Sequence, residues 1–333
     1  MKIALFSSKS YDSEYFTIAN QSFGFEIAYF ETKLRSQTAH LAAGMDAVCV
    51  FVNDVIDRET IGILKDLGVG VIALRCSGFN NVDLVAAEEA GVKVVRVPAY
   101  SPTSVAEHAL ALILTLNRKT HKAYNRVRDG NFSLERLAGF NIAGKTVGVI
   151  GTGKIGTAFL RIMQGMGCRI LAYDKFPDKS LEEEGIPYVG LEKLFAGADI
   201  VSLHCPLTPE TAYLINRQTL SMMRPGAMLI NTSRGALINS TDVIAALKKR
   251  ELGYLGIDVY EQEGDLFFGD HSEEILQDDD IARLMTFSNV LITAHQAFFT
   301  REALEQIART TLQNLHDFQG RTELKNEVRS ALD

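Results

Sequence analysis

No run of lysine and arginine marks any part of this 333-residue chain, and its 34 basic residues are outnumbered by 41 acidic ones, for a net charge of −7. That balance excludes a basic-patch binder of nucleic acid or of an anionic membrane. Cysteine is scarce: Cys49, Cys76, Cys168 and Cys205 stand singly, with no CxxC pair and no close histidine spacing of the kind zinc sites use. Neither a zinc ligand set nor a disulfide framework is indicated, and the four read as reduced thiols. The N-terminal apolar run Ile3-Ala4-Leu5-Phe6 is shorter than the ~7–15 residues of a signal-peptide core, and no window approaches the ~18 apolar residues of a membrane span. A soluble, cytoplasmic protein is expected. There is no repeat of solenoid period and no low-complexity tract. What is present, 47% apolar and 23% charged residues, is ordinary globular composition, and the length predicts about two domains at roughly 150 residues each.

Two series of alternating strands and helices follow from the pattern. In the first, Lys2 to Phe6, Ala47 to Val52, Val69 to Leu74 and Lys93 to Val97 are short and rich in Val and Ile, as buried strands are. Thr60 to Leu67 and Asp83 to Ala90 carry helical periodicity, with Gly68 and Gly91 at the stops. Such alternation gives a parallel sheet, whose ligands meet the carboxyl ends of the strands. The loops Arg75 to Asn80 and Pro98 to Pro102 lie there. Next, Ser104 to Arg128 reads as one long, largely apolar helix, buried in the core or against another subunit.

The second series has strand candidates at Thr146 to Ile150, Arg169 to Tyr173, Ile200 to Leu203, Ala227 to Asn231, Tyr254 to Val259 and Val290 to Thr293. Six strands with helical connections match a doubly wound dinucleotide domain. Glu263 to Phe287, with the acidic Asp278-Asp279-Asp280, reads as a surface excursion. After His295 a helix with Leu304, Ile307, Thr311, Leu315 and Phe318 on one face closes the chain.

Gly151-Thr152-Gly153-Lys154-Ile155-Gly156 lies between the first of these strands and a predicted helix, Ile155 to Met166. Gly151 permits a tight turn, Gly153 lets backbone approach a pyrophosphate, and Gly156 permits close helix packing. The helix start then offers free N–H groups and a positive dipole end to phosphate. Asp174, ending the next strand, suits a ribose hydroxyl and opposes a 2′-phosphate, so NAD is expected rather than NADP, with Lys175 able to soften the repulsion.

Three further residues stand at or just beyond strand ends: Arg234, Glu263 and His295. Hydride transfer to a 2-keto acid needs a cation for the carboxylate, an acid for the carbonyl oxygen and a group that tunes the acid. Arg234 offers a planar fork for a carboxylate. A histidine side chain can gain and lose a proton near neutral pH, and a partnering Glu263 carboxylate favours the proton-donating form of His295. His204 is a rival for the acid, while His108 and His121 read as structural or interface groups.

Several long motifs in order then resemble the NAD-dependent D-2-hydroxyacid dehydrogenase family over essentially the whole chain. They are 151–156, Val201 to Thr208, Met223 to Gly235, and Gly256 to Glu263 with His295. Arg75 to Asp83, Val97 to Pro102, Asp265 to Ser272, Gln277 to Asp279 and Thr293 to Thr300 look like its fermentative branch, which forms D-lactate. The resemblance implies two Rossmann-like α/β parallel-sheet domains, flavodoxin-like and dinucleotide-binding, with a cleft between them. The substrate domain would be residues 1–101 plus 297–333, with an NAD domain, 102–296, inserted. It implies that Arg234 binds the substrate carboxylate, that His295 donates the proton and that Glu263 pairs with His295. Ser77 and Gly78 would offer backbone N–H groups to the carboxylate, and Tyr100 and Phe299 would shape a small pocket. NADH would also touch Lys154, Ile155, Cys205, Pro206, Thr211, Thr232, Ser233 and Asp258. Pyruvate and D-lactate are the implied substrate pair, and a homodimer or homotetramer joined through the NAD domain is the implied assembly. Phe298-Phe299 leaves room for bulkier 2-keto acids, and an NAD-sensing corepressor on the same scaffold is the remaining alternative.

Overall fold

The computed structural model describes residues 1–330. Residues 331–333, the end of the predicted substrate domain, lie outside the described residues. The chain divides into two compact units, Met1–Ser101 with Phe299–Asp333, and Pro102–Phe298. Among the described residues no helix is long and apolar enough to cross a membrane.

In the first unit β1 (Lys2–Leu5), β2 (Glu26–Tyr29), β3 (Ala47–Val50), β4 (Val71–Leu74) and β5 (Lys93–Arg96) form a parallel sheet in the order β2-β1-β3-β4-β5. This is the flavodoxin-like order, with its switch point between β1 and β3. Every residue of β3 and β4 is buried, the pattern of strands covered on both faces. The connections carry α1 (Ser10–Asn20), α2 (Arg58–Asp66) and α3 (Leu84–Ala90). Asp57 and Asp83 cap α2 and α3 by accepting the Thr60 and Ala86 N–H groups, so Asp83 precedes its helix rather than opening it. A C-terminal helix, Arg301–Gln319, lays Ala308, Leu312 and Leu315 against Ile3, Val71 and Val95. Burying each of those leucines stabilises by roughly 1.5–3 kcal/mol. The periodicity missed β2, an edge strand whose residues are exposed or only partly buried and whose sequence, Glu26-Ile-Ala-Tyr29, has no apolar run.

The second unit begins with α4 (Pro102–Arg118) and α5 (Thr120–Arg128), where a single helix was expected. Lys119 breaks it with a φ of 52°, and its ammonium donates to the Arg136 and Ala138 carbonyls. The two pieces differ in burial: α4 buries Ala106, Ala109, Leu112, Ile113 and Leu116, whereas α5 buries no residue. The sheet then follows as β6 (Thr146–Ile150), α6 (Lys154–Gly165), β7 (Arg169–Tyr173), α7 (Lys179–Glu183), α8 (Leu191–Gly197), β8 (Ile200–Leu203), α9 (Arg217–Met222), β9 (Ala227–Asn231), α10 (Ser240–Lys249), β10 (Leu252–Ile257), α11 (Asp279–Met285) and β11 (Val290–Ile292). Its order is β11-β10-β9-β8-β6-β7, all parallel, with a single bridge from Ala172 to Tyr188 beyond β7. Counting that bridge as a rudimentary strand completes the doubly wound arrangement with its switch point at β6/β8.

The expected surface excursion is only partly one. Phe267, Ile281 and Leu284 are buried in the core, and Asp278 caps α11 by accepting the Asp280 and Ile281 N–H groups. The acidic triplet is thus a helix start, where negative charge is favoured.

Candidate active site

The glycine turn is dictated by space. Gly151 has a φ of 92°, and a Cβ there would lie 2.5 Å from the Cys205 amide nitrogen; at Gly156 it would lie 1.9 Å from the Gly151 carbonyl oxygen. Gly153 faces open space and begins α6 with no side-chain cap, leaving the first N–H groups of that helix for a ligand. Lys154 is exposed and Ile155 half-buried just beyond it. The turn fits a pyrophosphate. At the next strand end, Asp174 accepts the Thr152 N–H through Oδ2 at 2.7 Å and the Phe176 N–H through Oδ1 at 2.9 Å. Tyr188 donates to Thr152 Oγ1 at 2.7 Å, which in turn donates to Asp174 Oδ2 at 3.2 Å. Tyr188 therefore orients a carboxylate that sequence reasoning treated as acting alone. Lys175 does not pair with Asp174 but reaches Glu210 at 4.0 Å, both groups exposed.

After β8, Cys205 is buried, and desolvation, with the Asp174 charge, pushes its thiol up to about 11. It is a neutral wall residue. Ser233 Oγ donates to the Cys205 carbonyl at 2.7 Å, and Thr211 Oγ1 donates to that of Pro206 at 2.7 Å, so both hydroxyls hold loops in place. Among the described residues, the buried Thr232 Oγ1 has no hydrogen-bond partner. A buried hydroxyl left without a partner is costly unless a ligand or water supplies one.

Arg234 follows β9 on a turn that Asn231 builds. Asn231 is fully buried, its amide donates to the Arg234 carbonyl at 2.8 Å, and its oxygen accepts the Ser233 N–H at 3.0 Å. The Arg234 guanidinium meets the Ser233 carbonyl at 2.7 Å. Glu263, on a short 3-10 turn, accepts the Tyr260 N–H through Oε2 at 2.9 Å and faces His295 Nδ1 through Oε1 at 2.8 Å. A carboxylate at Nδ1 fixes a proton on that nitrogen and leaves Nε2 to carry the transferable one. Phe268 covers the ring at 5.8 Å between centroids.

His295 sits at a φ of 51°, a left-handed conformation that must be held. Asp258 holds it. Its backbone oxygen accepts the His295 N–H at 2.7 Å, and its carboxylate accepts the Gln296 N–H at 2.9 Å, the Ala297 N–H at 2.8 Å and the Thr293 hydroxyl at 2.5 Å. His108 Nε2 lies 3.0 Å from that hydroxyl and 3.4 Å from Asp258 Oδ1, so it belongs to this network. The structural reading of His108 fits this network; the parts played by Asp258 and Thr293 carry no sequence signal, because they arise from residues far apart in the chain meeting at one sheet edge.

His204 is not an acid at neutral pH. Desolvation pushes its pKa down to about 3, its Nε2 pairs with Ser202 Oγ at 2.9 Å, and its ring lies 4.8 Å from that of Phe159. His121 is likewise shifted down by desolvation, and its buried Nδ1 has no hydrogen-bond partner among the described residues. In the first unit, Ser77 and Gly78 lie on the loop after β4, Tyr100 is half-buried after β5, and Phe299 stacks edge-on with Tyr11 at 4.7 Å.

A family model described as "D-isomer specific 2-hydroxyacid dehydrogenase, NAD binding domain" matches residues 110–297. The chain is 54% identical over 328 residues to D-lactate dehydrogenase of Escherichia coli, covering 98% of this chain and all of that protein. The apo-structure of the Escherichia coli enzyme superposes with a TM-score of 0.91 at 52% identity, covering 98% of this chain and 100% of that one. The solved structure of the pyruvate reductase of Chlamydomonas reinhardtii gives 0.93 at 46% identity, covering 98% of each chain. With the glycine turn, the acid-ended second strand and the histidine–glutamate pair, these likenesses agree on one assignment: the chain belongs to the D-isomer-specific 2-hydroxyacid dehydrogenase family.

Proposed function

We propose that the chain is a D-lactate dehydrogenase, reducing pyruvate to D-lactate reversibly at the expense of NADH. The observation that carries the chemistry is the 2.8 Å contact of His295 Nδ1 with Glu263 Oε1 on the same sheet edge as the glycine turn. NADH, when bound, supplies the hydride. Gly151, Gly153, Lys154, Ile155 and Gly156 would hold its pyrophosphate and Asp174 its ribose, with Cys205, Pro206, Thr211, Thr232, Ser233 and Asp258 lining its course. Arg234 offers its fork to the substrate carboxylate, and the Ser77 and Gly78 N–H groups are carboxylate donors on the first unit. His295 then donates the Nε2 proton to the carbonyl oxygen, and Glu263 stabilises the imidazolium before that transfer. Tyr100 and Phe299 bound the substrate's side chain.

The exposed Tyr124, Val127, Phe132 and Leu134 beside an α5 that buries nothing support a homodimer or homotetramer joined through the second unit. Four free cysteines support a cytoplasmic location. A kcat/KM panel of 2-keto acids tests substrate choice: pyruvate is expected to exceed phenylpyruvate and branched-chain keto acids. One methylene is worth only about 1–3 kcal/mol, so measurable turnover of neighbours is compatible, but a larger keto acid ahead of pyruvate overturns the assignment.

A further inference from the structure

We propose that Arg96 is a positioning residue for the substrate carboxylate, acting through the peptide group between Ser77 and Gly78. This rests on the function proposed above, in which the Gly78 N–H meets that carboxylate. Arg96 ends β5 and donates from Nη1 to the Ser77 carbonyl oxygen at 2.7 Å. In a trans peptide the C=O and the following N–H point in opposite directions, so a cation fixed on the Ser77 oxygen sets where the Gly78 N–H points. The same bond withdraws electron density from the peptide and makes that N–H a stronger donor.

The arginine is itself held. Its backbone N–H donates to the Asn326 carbonyl at 3.1 Å, its carbonyl accepts from Asn314 Nδ2 at 2.9 Å, and its guanidinium lies 5.1 Å from the Phe79 ring centroid. The rest of the loop is tied independently. Arg75 Nη2 donates to the Ser7 carbonyl at 2.8 Å before it, and Asn81 Nδ2 donates to the Phe51 and Asp54 carbonyls, both at 2.9 Å, after it. Cys76 Sγ meets the Gly78 carbonyl at 3.3 Å, fixing the next peptide. With both ends anchored without Arg96, its side chain governs the orientation of one peptide rather than the existence of the loop. A carboxylate-binding loop thus gains a guanidinium one peptide away.

The test compares Arg96→Gln and Arg96→Lys with the wild type in four measurements: KM and kcat for pyruvate, the inhibition constant of oxamate with NADH present, the NADH dissociation constant, and Tm. Oxamate is a pyruvate isostere that does not accept hydride, so its inhibition constant reports substrate-site binding separated from turnover. In Arg96→Gln, KM and the oxamate constant are expected to rise together by about tenfold, the scale of losing one charge-assisted hydrogen bond at second hand. kcat should change less than KM, and NADH binding should stay within about twofold. Arg96→Lys keeps the charge and should recover part of the loss. Unchanged KM and oxamate binding in a folded Arg96→Gln protein overturn the proposal, as does an equal weakening of NADH and oxamate, which marks a general structural role. Should Arg96→Gln fail to fold, Arg96→Lys decides: a rise of a few-fold confined to pyruvate and oxamate supports the role, and wild-type values overturn it. A wild-type protein that neither reduces pyruvate nor binds oxamate would instead overturn the function itself, and the Arg96 proposal with it.

Discussion

Replacing Glu263 by Gln probes the proposed proton donor with little change in shape, and the hydrogen-bond geometry sets the expected cost. The carboxylate serves two donors at once, His295 Nδ1–H at 2.8 Å and the Tyr260 N–H at 2.9 Å. A carboxamide has one oxygen and one NH₂, so it cannot serve both. If the oxygen stays on His295, the NH₂ meets the Tyr260 N–H and a donor faces a donor. If it turns, the NH₂ faces Nδ1, which must then be an unprotonated acceptor, and the imidazolium is lost. The first arrangement forfeits a hydrogen bond and the second the imidazolium, in a site where the two side chains are only 16% and 23% exposed. An unsatisfied buried group costs about 1–3 kcal/mol, and partial exposure puts this case toward the lower half of that range. The expected drop in kcat/KM for pyruvate is therefore about tenfold. The assay is NADH consumption at varied pyruvate. A Glu263→Gln enzyme with wild-type kcat/KM would refute the pairing.

Three other expectations follow from the same geometry. His295→Ala should lower kcat by about 10²–10⁴-fold while the NADH dissociation constant, read by fluorescence titration, stays near the wild-type value; substantial retained turnover would move the acid role elsewhere. Asp174→Ser should narrow the preference for NADH over NADPH in kcat/KM, since the carboxylate that opposes a 2′-phosphate is held by Thr152 and Phe176 and left unneutralised by Lys175; an unchanged ratio would mean Asp174 does not set coenzyme choice. His204, lowered from 6.5 to about 3, binds a proton in the unfolded chain but not in the folded one between those values, so its contribution to stability is lost progressively as pH falls from 6.5 toward about 3. The Tm advantage of the wild type over His204→Gln should accordingly shrink on acidification from 6.5 to about 4, and a constant difference would contradict the assignment.

Much of the second unit was readable because its strands are continuous apolar runs ended by polar residues. The observed β6, β7, β8 and β9 start and stop where the pattern changes, at Thr146–Ile150, Arg169–Tyr173, Ile200–Leu203 and Ala227–Asn231. The edge strand β2 was not, since partial burial removes the apolar run that signals it. Nor was the break at Lys119, where neither glycine nor proline marks the left-handed residue and the supporting carbonyls come from Arg136 and Ala138. In the site, strand-end position singled out Arg234, Glu263 and His295 as candidates. The residues that hold them, Asn231 and Asp258, carry no local signal of that role. Their polar atoms are spent on backbone groups that only the folded sheet brings near. Tyr188 was invisible for the same reason: its hydroxyl reaches Asp174 through Thr152, across the β6/β7 edge.

The central claim is tested most directly by incubating the protein with pyruvate and NADH, following the loss of NADH absorbance, and resolving the lactate formed by chiral chromatography. The account predicts one D-lactate for each NADH consumed. L-lactate as the product, or no NADH consumption with a folded protein, would contradict it.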